Sequence, residues 1–128
     1  MTIALVRHGE TDWNLQGLVQ GTTDIPLNDT GRAQAAQAAE RLARRSWDRV
    51  VTSTLSRAFE TGAIIASRLG LPSPTTRPGL VERRYGIAEG MLFREYDVAF
   101  PADTPVDGRE SRDEVAKRML PTVLEIAT

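Results

Sequence analysis

Apolar positions recur along this chain at two spacings, and the elements they predict alternate. Thr2 to Val6, with Ile3, Leu5 and Val6 as strand formers, reads as a short buried strand that Gly9 ends in a turn. Asn28 is placed to cap a helix running to about Arg45, with Ala35, Ala38, Ala39 and Leu42 on one face. Arg49 to Thr52 reads as a second strand. Ser53 or Thr54 then caps a helix whose buried face is Ala58, Gly62, Ile65 and Leu69, and Gly70 stops it. A third short strand is expected over Thr75 to Arg77 between prolines, a short helix over Leu92 to Phe100 ahead of Pro101, and a loop from there to Gly108. Ser111 and Glu114 have the spacing of a capping box at the head of a last helix. Its stripe of Val115, Met119, Val123 and Ile126 reads as core, and Pro121 is expected to bend or restart it. Strands alternating with helices imply an α/β fold.

The chemistry gathers at the end of the first predicted strand. Leu5-Val6-Arg7-His8-Gly9-Glu10-Thr11 holds the single histidine of the 128 residues, beside an arginine. Ligands of α/β proteins collect at such strand ends. A neutral imidazole is a competent nucleophile or base near pH 7, and the neighbouring guanidinium stays charged and offers a planar fork to phosphate or carboxylate. An isolated Arg-His pair favours a structural role, His8 capping the strand and Arg7 pairing with a surface carboxylate; further residues decide.

Those residues follow. Arg7-His8-Gly9-Glu10-Thr11-Asp12-Trp13-Asn14 runs into the segment Gln20 to Gly31. Later come Ser53-Thr54-Leu55-Ser56-Arg57-Ala58-Phe59-Glu60-Thr61 and Leu80-Val81-Glu82-Arg83-Arg84-Tyr85-Gly86-Ile87-Ala88-Glu89-Gly90. These three ordered motifs resemble the arginine-histidine-glycine-glutamate run, the second arginine motif and the acid motif of the histidine phosphatase superfamily. That superfamily includes cofactor-dependent phosphoglycerate mutases and many phosphomonoesterases. The resemblance spans the chain from Thr2 to the last helix. It implies a phosphoglycerate mutase-like three-layer sandwich, a mostly parallel central sheet flanked by helices, in a single domain over residues 1–128.

The resemblance also implies roles. His8 would be the nucleophile that forms a phosphohistidine, Arg7 and Arg57 would grip the phosphoryl oxygens, and Glu82 would protonate the leaving alcohol. Arg57, in the first turn of its helix, would gain from the positive end of the helix dipole. Asn14 matches a phosphate donor of the family, and Thr22 could add a hydroxyl or an amide. Arg84 and Tyr85 would contact the far end of the substrate, while Glu89 and Gly90 read as turn formers. No metal and no soluble cofactor is implied, because two arginines can neutralise the charge that magnesium meets elsewhere.

Composition bounds this reading. Sixteen basic and seventeen acidic residues give a net charge of −1 without a block of one sign, so no nucleic-acid partner is indicated. No apolar run approaches the roughly 18 residues of a membrane span, and the chain begins at once with strand and motif, so the cytoplasm is the expected location. The lack of cysteine excludes disulfides, thiolate metal sites and a cysteine nucleophile, and one histidine argues against zinc.

The expected activity is hydrolysis of a small phosphorylated substrate. A primed phosphoglycerate mutase stands beside it, since Glu82-Arg83-Arg84-Tyr85-Gly86 is close to the mutase form of the acid motif. So does a catalytically inactive phospholigand-binding module, because the family's second histidine, in a late strand ending in histidine-glycine, is not found before Thr128. The chain is therefore expected to be the N-terminal portion of a longer family domain, with completion by another copy in a homo-oligomer as the alternative.

Overall fold

A computed structural model describes residues 1–102 and 104–128. Asp103, in the expected loop after Pro101, lies outside the described residues. In order the elements are α1 (Asp12–Gln16), α2 (Asp29–Leu42), β1 (Val51–Thr52), α3 (Ser56–Leu69), β2 (Thr75–Thr76), two 3-10 turns (Pro78–Leu80 and Gly86–Ala88), α4 (Phe93–Ala99) and α5 (Arg112–Ala127). The fold is α/β: β1 and β2 pair in parallel, Val51 beside Thr75 and Thr52 beside Thr76, with α3 as the crossover between them.

The four longer helices form where the apolar spacing placed them, and local caps mark the starts of α2 and α5. Asn28 accepts from the Gly31 amide at 2.8 Å and starts α2, which packs on α3 with Ala35 and Ala39 buried. Small residues on that face let the two helices approach closely. On α3, Gly62 and Ile65 are buried, and a Cβ at Gly62 would strike the Thr52 side chain, so the helix lies directly on β1. Ser111 and Glu114 make the expected capping box on α5. That helix runs unbroken through Pro121 instead of restarting there. Pro121 and Lys117 both face solvent, so the carbonyl the proline leaves unpaired is open to water.

Three expectations need correction. Residues 2–6 form no strand: Leu5 is 90% exposed, and among the described residues no backbone ladder ties them to a neighbour. A strand exists by pairing, and β1 and β2 pair with one another. Neither Ser53 nor Thr54 caps α3; the cap residue is Leu55, and Asp24, 32 residues earlier, accepts from the Ser56 amide at 2.7 Å and its hydroxyl at 2.9 Å. Finally, α1 forms between the predicted first strand and the helix capped by Asn28, where the apolar spacing predicts no element. Thr11 and Asn14 close a capping box at its start, with asparagine in the position that glutamate or glutamine usually fills.

Between these elements the chain is irregular and is held by buried polar groups. Thr11 (0% exposed) donates its hydroxyl to Gln20 at 2.6 Å, and Glu110 (6% exposed) is clasped by Arg118 through Nε at 2.7 Å and Nη2 at 2.8 Å. Gly9 and Gly31 cross so closely that a Cβ on either would collide with backbone of the other segment.

Gly31→Ala should therefore push the residue 8–10 segment off α2 and destabilise the protein by about 1–3 kcal/mol, read from the urea midpoint. The Arg118 clasp holds the Glu110 carboxyl down at about 2, from an ordinary 4.5. Its contribution is thus complete above pH 4.5 and drains away as the pH falls toward 2. In Glu110→Gln, melting temperatures across that window should fall less steeply than in the parent protein.

Candidate active site

His8 stands at the end of the extended residues 2–7, half-buried, on a segment pinned from two sides. The Gly9 amide donates to Thr61 Oγ1 at 3.1 Å, and that hydroxyl donates to the Arg57 carbonyl at 2.7 Å, which ties the histidine segment to α3. From the other side the Asn28 amide donates to the Glu10 carbonyl at 3.0 Å, and the Glu10 amide donates to Gln34 Oε1 at 2.8 Å. The imidazole Nδ1 lies 2.7 Å from the Gly9 carbonyl oxygen. A carbonyl only accepts, so Nδ1 carries the hydrogen and Nε2 keeps its lone pair. Burial lowers the His8 pKa from its ordinary 6.5, and the charges of Arg57 and Arg7 push the same way. The Gly9 hydrogen bond and Glu82 oppose them without reversing the shift. At neutral pH the ring is uncharged.

Arg57 is the largest fully buried side chain, 1% exposed. Its Nη1 donates to the Thr23 carbonyl at 2.7 Å and its Nη2 to the Gly21 carbonyl at 2.6 Å, so two of its five N–H groups orient it and three remain. Desolvation lowers its pKa, countered by Glu82, Asp24 and Glu89, and it stays protonated. The loop that receives it is fixed by Glu89. That carboxylate accepts from the Thr22 amide at 3.3 Å, the Thr23 amide at 2.9 Å, the Thr23 hydroxyl and the Tyr85 amide at 2.9 Å, which together hold its own pKa low against the effect of burial.

The structure thus brings Arg7, Arg57 and Glu82 within electrostatic reach of His8, and Glu82 within reach of Arg57, from three separate stretches of chain. Arg7 is exposed, as is Glu82, whose Oε1 accepts only from the next amide, Arg83, at 2.8 Å. Asn14 uses its side-chain oxygen on the Thr11 amide, leaving its side-chain nitrogen as the group still to donate. Thr22 turns both amide and hydroxyl toward Glu89. Arg84 donates Nε to the Gly108 carbonyl at 2.8 Å. Tyr85 stacks edge-on against Tyr96 at 5.6 Å, with the Arg83 guanidinium 5.3 Å over its ring. Among the described residues no cluster of three histidine, aspartate or glutamate side chains is arranged to hold a metal ion.

Sequence reasoning missed Asp24, Thr61 and Glu89. The i, i+4 spacing of Arg57 and Thr61 places them on one helix face and could have revealed the second; nothing local distinguishes Asp24. Glu89 reads as a turn former from its neighbours, yet its carboxylate joins two loops. The cap that Asp24 provides also answers part of the positive helix end that was expected to serve Arg57.

Residues 3–128 match the family model of the Histidine phosphatase superfamily (branch 1). The "Uncharacterized phosphatase PhoE" of Bacillus subtilis is 46% identical over 118 residues, which are 92% of this chain and 60% of that protein. A glucosyl-3-phosphoglycerate phosphatase of Mycolicibacterium vanbaalenii is 40% identical over 98% of this chain and 60% of its own length. A solved mycobacterial glucosyl-3-phosphoglycerate phosphatase in complex with VO3 superposes with a TM-score of 0.84 at 34% identity, over 94% of this chain and 61% of that one. The chain spans about three-fifths of the length of these relatives. With the three motifs folded around one imidazole and matched from residue 3 to residue 128, this chain belongs to the histidine phosphatase superfamily, branch 1.

Proposed function

We propose that this chain belongs to a phosphatase that hydrolyses small phosphorylated metabolites of the cytoplasm through a phosphohistidine at His8. The observation that carries this reading is the state of the imidazole: Nδ1–H engaged by the Gly9 carbonyl, Nε2 unprotonated, and two guanidinium charges nearby. Nε2 attacks phosphorus, the bond to the ester oxygen breaks, and Glu82 gives that oxygen its proton so that it leaves as an alcohol. Water then attacks the phosphohistidine, Glu82 takes up the proton, and inorganic phosphate departs.

Arg7 and Arg57 hold the equatorial oxygens, where negative charge gathers in a loose transition state. Asn14 adds its free amide. Thr22 contributes through the loop that Glu89 holds and that carries the Arg57 acceptors, and Arg84 and Tyr85 border the far end of the substrate. The chemistry calls for neither a metal nor a soluble cofactor. The named activities of relatives on glucosyl-3-phosphoglycerate support a phosphorylated metabolite as substrate.

With p-nitrophenyl phosphate and no bisphosphorylated primer, turnover should follow. His8→Ala should reduce kcat by about 10³-fold or more and abolish acid-labile phosphate labelling of the protein. Because His8 must be neutral to attack and its pKa is lowered, the acid limb of kcat/KM should lie below pH 6.5. A limb above 6.5, or unchanged turnover in His8→Ala, contradicts the mechanism.

A further inference from the structure

Glu82 is exposed, makes only a local hydrogen bond, and sits in a stretch whose one regular element is the single turn Pro78–Leu80. Its side chain has no packing of its own to aim it. What fixes the backbone beneath it is a guanidinium from α5, 36 residues away. Arg118 Nη1 donates to the Gly79 carbonyl at 2.9 Å and the Val81 carbonyl at 2.8 Å, and Nη2 donates to the Glu82 carbonyl at 3.2 Å. Nε and the remaining Nη2 hydrogen go to the two oxygens of Glu110 at 2.7 and 2.8 Å. All five N–H groups are used.

Glu110 completes the grip on the other side of Glu82. Its amide donates to the Arg84 carbonyl at 2.8 Å, its carbonyl accepts from Arg83 Nε at 2.8 Å, and its Oε1 accepts from the Arg84 amide at 3.3 Å. Residues 79–84 are thereby held on both flanks of Glu82 by one ion pair, with Gly79 pressed against Arg118 and Thr122 of α5 too closely for a side chain. The apolar stripe of α5 does not include Arg118, so packing of that stripe does not explain the residue. Resting on the reading of Glu82 as proton donor, we propose that the Glu110–Arg118 pair is the positioning device that sets the Glu82 carboxyl against the leaving oxygen. Neither residue touches the substrate.

A positioning role differs from a merely stabilising one in its dependence on the leaving group. p-Nitrophenolate leaves without a proton, whereas the alkoxide of glycerol phosphate needs one, so in kcat/KM, which reports the steps up to release of the leaving group, a misplaced acid harms chiefly the second. Arg118→Lys keeps the charge near Glu110 but has three donors for five acceptors; Arg118→Met removes the grip and retains the bulk. Assayed well below their melting temperatures, both variants should lose about 10- to 100-fold in kcat/KM on glycerol phosphate and stay within about threefold of the parent on p-nitrophenyl phosphate. Glu82→Gln should lose more kcat/KM on glycerol phosphate than on p-nitrophenyl phosphate. Equal losses on both substrates in the Arg118 variants, beside a selective loss in Glu82→Gln, overturn the positioning role alone. Equal losses in Glu82→Gln overturn the assignment of the proton donor itself.

Discussion

A buried guanidinium must be met on its donors or it does not stay buried, and Arg57 imposes that condition on most of this structure. Taking its charge out of water is expensive, so the chain supplies carbonyl oxygens from Gly21 and Thr23 and sets three carboxylates, Glu82, Asp24 and Glu89, in its field. Those carbonyls face inward only if the loop takes one path. Glu89 holds that path through the amides of Thr22 and Thr23, and Asp24, carried on the same loop, caps the helix from which Arg57 projects. The cap, the loop and the arginine fix one another.

The same logic explains how a chain with little sheet keeps a defined site. The buried apolar set is small, with Val19, Leu27, Leu55, Ile65 and Val106 as its larger members, while Thr11, Thr61, Arg57 and Glu110 are buried polar groups that all have partners. Apolar packing of α2, α3 and β1 forms the platform. The irregular segments that carry chemistry are attached to it by side-chain hydrogen bonds to backbone: Thr61 for the histidine segment, Glu89 for the Gly21–Thr23 loop, Glu110 and Arg118 for the acid segment. Such bonds are directional, and each lost partner leaves a buried group unpaired, so they specify position more sharply than apolar contact does.

Function follows from that division. The imidazole is pushed toward its neutral form by burial and by two positive charges, and those charges also favour an anion beside it, which is what the proposed attack on a phosphate requires. Glu82 is exposed and electrostatically coupled to His8 and Arg57, with its backbone clamped and its side chain reaching solvent.

Helices with a one-sided apolar face and a local cap were legible in the sequence, because both signals lie within a turn or two: α2 from Asn28 and its alanines, α5 from Ser111 and Glu114, α4 from its stop at Pro101. The motifs around His8, Arg57 and Glu82 were legible for the same reason, as each is a contiguous run, and they determined the family. What the sequence could not decide is whatever depends on a distant partner. Ile3, Leu5 and Val6 have strand propensity, but a strand needs a neighbour, and whether one pairs is a property of the assembled fold. Asp24, Thr61, Glu89 and Arg118 act across gaps of 32, 52, 67 and 36 residues. Only tertiary structure brings such groups within hydrogen-bonding distance, and it turned a glutamate read as a turn former into the tie between two loops of the site.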